Sequence, residues 1–82
     1  MKKAKLLQKI SNNPKNISFR EFCSLLEAFG FSLNRTAGSH HIFAHPEISE
    51  LVNVQDAKGE AKPYQIKQAL KLIEKYNLKL EE

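Results

Sequence analysis

From Ser18 onward the hydrophobic positions change period twice. Phe19, Phe22, Cys23, Leu26 and Phe29 recur at steps of three and four, which predicts an amphipathic helix with one apolar face. Ser18 with Glu21 three residues later is a capping-box pair that would open this helix, and Gly30 would end it. The period then drops to two. Phe31 to Arg35, His40 to His45 and Leu51 to Gln55 read as three short strands. Phe31 and Leu33, then Phe43, then Val52 and Val54 are the expected inward positions, and Thr36-Ala37-Gly38-Ser39 is the turn between the first two strands. A loop from Asp56 to Lys62 leads to Pro63, which suits a first helical turn because its missing N–H is not needed there. Ile66, Ala69, Leu70 and Ile73 return to helical spacing between Tyr64 and Tyr76. Ahead of all this, Leu6, Leu7 and Ile10 among lysines predict a short lead-in helix over Met1 to Ile10, followed by a break at Ser11 to Asn16.

This order predicts an α+β domain: helix, three-stranded antiparallel meander, helix. Both helices need one apolar surface and so should share a sheet face, leaving the other face to solvent or a ligand. Residues 1–17 read as an N-terminal extension, 18–78 as the domain and 79–82 as a tail. Eighty-two residues make one domain, too small to enclose a large cofactor, so chemistry belongs on an open surface or in a shallow groove. A net charge of +4 favours an anionic partner, nucleic acid among them. Cys23 is the only cysteine, so no internal disulfide can form, and its place on the apolar face marks it as packing. No apolar run reaches membrane length, and Met1-Lys2-Lys3 is not followed by a signal core, so a cytoplasmic protein is expected.

Candidate chemistry concentrates in Gly38-Ser39-His40-His41-Ile42-Phe43-Ala44-His45-Pro46, which holds all three histidines. Histidine is the side chain whose ordinary titration lets it take and give a proton near neutral pH. Alternation puts His40, Ile42 and Ala44 on one strand face and His41, Phe43 and His45 on the other. With Phe43 as the core residue, His40 falls on the open face and His41 at the rim of the helical side. Histidines that point apart do not gather around a metal ion, so neither a metal site nor another cofactor is expected. Lys62, just ahead of Pro63, opposes the helix dipole unless it shares an anion with the free amides there. Lys67, Lys71 and Lys75 extend a positive stripe at four-residue steps. Arg35, Lys58, Lys62, Lys67 and Lys71 are therefore the candidate phosphate contacts.

Taken together, Leu25-Leu26-Glu27-Ala28-Phe29-Gly30-Phe31, the Gly-Ser-His-x-x-aromatic-x-His-Pro pattern, the third strand and the closing helix resemble the HicA-like toxins of bacterial toxin–antitoxin pairs. The resemblance covers roughly Ser18 to Leu78. It implies a double-stranded-RNA-binding-domain-like fold and a metal-independent endoribonuclease, an mRNA interferase. Such a toxin would be a monomer when free, with mRNA and a HicB-like antitoxin protein as partners. The family's catalytic histidine, two residues after the glycine, falls on His40, with His41, Ser39 and Gly38 as supporting or alternative groups. One departure stands out. Many members carry a proline and a further histidine just after the third strand, where this chain has Gln55-Asp56-Ala57. Two other readings of the same residues stay open, a non-catalytic RNA-binding module of this fold and a protein-interaction domain.

Overall fold

The computed structural model describes residues 3–81. Its elements are α1 (Lys3–Asn12), α2 (Phe19–Ala28), β1 (Ser32–Ala37), β2 (His40–Ala44), β3 (Val52–Gln55) and α3 (Pro63–Lys75). The strands form one antiparallel sheet in the order β1-β2-β3, so the expected meander between two helices is present, preceded by α1. None of the described helices is long and apolar enough to cross a membrane.

Both ends of α2 follow from its sequence. The backbone N–H of Glu21 donates to Ser18 Oγ at 3.0 Å, and the N–H of Ser18 donates to Glu21 Oε1 at 3.1 Å. Each bond satisfies a donor that the first helical turn leaves unpaired. At the other end Phe31 N–H reaches the Leu26 carbonyl and Gly30 N–H that of Glu27, both at 3.0 Å, with Gly30 at φ 93°. This closure requires a residue tolerant of positive φ, and a Cβ at position 30 would lie 3.0 Å from His45 Nε2. Ser18→Ala should lower stability by about 1 kcal/mol, read as a lower urea midpoint at unchanged slope. An unmoved midpoint would mean that the box contributes nothing.

One apolar cluster unites the chain. Phe22, Leu25, Leu26 and Phe29 of the α2 region meet Phe43, Val52 and Val54 of the sheet and Ile66, Ala69 and Ile73 of α3. The two helices therefore share the sheet face that carries Phe43. Leu6, Ile10 and Ile17 belong to the same cluster, so α1 is packed and not merely attached. Lys9 Nζ also lies 2.7 Å from Glu21 Oε2, which, ahead of the Ser18 backbone bond, holds the Glu21 carboxyl below the usual carboxylate range.

Strand β1 departs from the simple alternation. Phe31 is buried but precedes the strand, and Leu33, expected inward, is 51% exposed. Leu33 pairs with Phe43 and so faces the helical side, but β1 is an edge strand and every one of its residues is exposed. The register shifts between Leu33 and Arg35, the signature of a β-bulge at Asn34. That extra residue turns Arg35 to the opposite face, where it pairs with Ile42. The turn is also shorter than expected. Ala37 pairs with His40, leaving a two-residue loop with Gly38 at φ 60° in its first position, as a type II′ hairpin requires.

A second tight turn completes one corner of the molecule. Ala57 and Glu60 bridge across Lys58 and Gly59, at φ 53° and 88°. This turn is clipped to the start of α2, with Phe19 N–H on the Gly59 carbonyl at 2.9 Å and Ala61 N–H on that of Ile17 at 3.0 Å. Asp56 N–H donates to the Ser39 carbonyl at 2.9 Å. Hairpin tip, turn and helix start are thus held as a unit beside the first residue of β2.

Candidate active site

Cross-strand partners share a face, so the pairings list the uncovered surface directly. Ala37, His40 and Gln55 form one row across the sheet, and Arg35, Ile42 and Asn53 the next. His40 is half-exposed there, and Arg35 and Asn53 are exposed. The structure thus brings together His40 and Arg35, two of the residues singled out from sequence.

Asn53 is a further residue of this face, and it is the side-chain partner of His40. Its Oδ1 lies 3.2 Å from His40 Nδ1. A carboxamide oxygen only accepts, so the contact assigns the ring proton to Nδ1 and leaves the Nε2 lone pair free. Alternation could have found it: with Val52 and Val54 inward, Asn53 must stand on the His40 face.

The other two histidines are committed elsewhere. His41 points to the helical side, where its ring lies 4.6 Å from that of Phe19 and Nδ1 donates to the Ser39 carbonyl at 3.2 Å. His45 is buried beyond the end of β2. Its Nε2 donates to the Phe29 carbonyl at 3.0 Å, and its Nδ1 accepts from the Glu47 N–H at 3.1 Å. With both nitrogens used, His45 is a pin between the end of α2 and the end of β2. Among the described residues no three His, Cys, Asp or Glu side chains gather to hold a metal ion. Burial pushes the Cys23 thiol up to about 11, so it stays protonated at neutral pH and is a poor nucleophile.

Gly38 and Ser39 form the exposed hairpin tip, and Ser39 contributes its carbonyl to both Asp56 and His41. Lys58 is exposed at the second turn, and Lys62 is half-buried at the N-cap of α3 with no side-chain cap bond. Lys67 and Lys71 stand exposed on α3. None of these lysines, nor Arg35, forms an ion pair among the described residues. Lys75 does, at 3.5 Å from Glu50, whose carboxylate also accepts from Tyr76 Oη at 2.5 Å. That hydroxyl bond first, and Lys75 after it, holds the Glu50 carboxyl below its usual range. The unpaired stripe therefore ends at Lys71.

Comparison with curated proteins and with solved structures finds no match. The family described as "HicA toxin of bacterial toxin-antitoxin" matches residues 19–74, from the first residue of α2 almost to the end of α3. The chain belongs to this family of HicA toxins.

Proposed function

We propose that this toxin is an endoribonuclease that cleaves mRNA without a metal ion, with His40 as its general base. The observation that carries the reading is the free Nε2 of His40 on the uncovered sheet face, with Nδ1 held by Asn53. In the proposed step Nε2 takes the proton of a ribose 2′-hydroxyl. The 2′-oxygen bonds to the adjacent phosphorus, the bond from phosphorus to the 5′-oxygen breaks, and that oxygen leaves with the proton from the imidazolium. The products are a 2′,3′-cyclic phosphate and a 5′-hydroxyl. A positioned general base contributes about a hundred- to ten-thousandfold. The bulge at Asn34 gives Arg35 the same face, from which it can stabilise the charge gathering on the phosphate.

Lys58, Lys62, Lys67 and Lys71 supply further phosphate contacts along the RNA. Gly38 and Ser39 act through the hairpin tip that sets the start of β2. The family is one of toxin–antitoxin pairs, so an antitoxin is the natural counterpart. In this reading it is a HicB-like protein with an acidic surface that covers the open face and blocks His40, complementing a chain of net charge +4.

Product chemistry tests the proposal. A long RNA incubated with the protein in excess EDTA should yield fragments ending in 2′,3′-cyclic phosphate and beginning with 5′-hydroxyl. Fragments with 5′-phosphate, or cleavage that stops in EDTA, would replace the mechanism. Salt-sensitive binding with no cleavage would instead leave a non-catalytic RNA-binding module.

A further inference from the structure

We infer that the cleft between β3 and α3 is a nucleobase subsite, which holds one unstacked base of the RNA beside the bond cut at His40. The inference rests on the endoribonuclease reading for its substrate, and on the direction of the peptide groups of β3 for its place. Gln55 N–H points away from β2 and donates to Gln65 Oε1 at 2.8 Å, whereas Asp56 N–H points toward β2 and donates to the Ser39 carbonyl. Successive peptides of an antiparallel strand alternate in this way. The N–H and C=O of Asn53 therefore point outward, into the cleft, and neither has a hydrogen-bond partner among the described residues. Asn53 thus faces two ways, its side chain bonded to His40 and its main chain lining the cleft.

The cleft has about 180 Å³ of space. Leu51, Ala69 and Leu72 give it apolar walls, and Leu51 is 49% exposed. Gln65 and Gln68 add carboxamides, of which Gln65 is only 3% exposed and Gln68 is exposed. Gln65 Oε1 is taken by Gln55, but the amide nitrogen makes only a long 3.4 Å bond to Tyr64 Oη, leaving donor capacity in a buried group. A nucleobase has apolar faces and an edge on which a donor and an acceptor stand side by side. The outward peptide of Asn53 offers the complementary pair, and the walls take the faces.

A partner β-strand is the competing occupant, and the same bonds disfavour it. Strand addition needs a run of free outward peptides. On this four-residue strand the next one, at Gln55, already has its N–H taken by Gln65. Within the strand only Asn53 keeps both groups of its outward peptide free, which is a poor start for a ladder but enough for one base.

Two measurements decide the matter, chosen so that the subsite and the nuclease reading can fail separately. His40→Ala protein, which cannot cleave by the proposed route, is titrated with each of the four nucleoside 5′-monophosphates and with ribose 5-phosphate. The backbone amide of Asn53 and the side-chain amides of Gln65 and Gln68 should shift with the nucleotides and not with the base-free sugar phosphate. In parallel, wild type and Gln68→Leu are compared on oligonucleotides that vary the bases flanking the cut. Gln68 is exposed, so the variant should fold, and the preference between best and worst base should change by about tenfold. Unmoved amides with every nucleotide, or an unaltered base preference, would overturn the subsite even if RNA is cleaved through His40. An Asn53 amide that responds only to the antitoxin would make the cleft a protein-docking edge and overturn it equally. If wild type cleaves no RNA, the titration alone decides.

Discussion

His40→Ala should reduce RNA cleavage by about a hundred- to ten-thousandfold while moving stability by about half a kilocalorie per mole or less. The small structural effect follows from its half-exposed place and its one side-chain bond, to a surface Asn53. The neighbouring histidines make this a three-way comparison. His41→Ala removes the ring packed on Phe19 and the bond to the Ser39 carbonyl, so it should cost about 1 kcal/mol and leave cleavage largely intact. His45→Ala strands a buried carbonyl at Phe29, at a cost of about 1–3 kcal/mol, and also removes the acceptor of the Glu47 N–H, which lies on an exposed residue. It should act through unfolding alone, with activity recovered wherever the variant is folded. Cleavage assays paired with melting curves separate the three. If His41→Ala abolished cleavage at full stability while His40→Ala did not, the base would lie on the helical side and the mechanism on the open face would be wrong.

The placement of these histidines on different sides of the sheet was legible because a strand has a period of two. Once Phe43 is taken as the core residue, alternation alone places His40 on the open face, and the packing of Phe43 with α2 and α3 agrees. The capping box at Ser18 and the Pro63 start of α3 are equally local signals, and both appear as read. Where the structure departs from the alternation of the sequence, the cause is not local. Nothing in Phe31-Ser32-Leu33-Asn34-Arg35 announces a bulge, because the extra residue is defined by the partner strand. The alternation expected of Leu33 and Arg35 therefore broke at Asn34. That break is also what puts Arg35 beside Ile42 on the His40 face. The roles of Asn53 and Gln65 are not written in the local sequence for a related reason. Their importance lies in hydrogen bonds that span thirteen and ten residues, to His40 and Gln55, and composition carries no trace of such bonds. The corner joining Ser39, Asp56 and the Gly59 turn is likewise a product of assembly.

Ile10→Ala tests whether the first helix belongs to the cooperative fold, a question the family match from residue 19 leaves untouched. Ile10 has no exposed surface and lies in the same cluster as Phe22, Leu25 and Leu26. α1 also reaches α2 through polar bonds, from Lys3 to Ser24 and from Lys9 to Glu21. Truncating a fully buried isoleucine costs about 2–5 kcal/mol, once the cavity left behind is added to the lost transfer energy. A domain of this size has a total stability near the lower end of about 5–15 kcal/mol, so that loss is a large fraction of the whole. The melting temperature should fall by about ten degrees or more, in a single transition seen alike by helical and aromatic signals. Lys5→Ala, exposed on the same helix, should leave it nearly unchanged. The opposite result, a near-normal melt for Ile10→Ala, would mean that α1 unfolds by itself and that residues 19–74 hold their core without it.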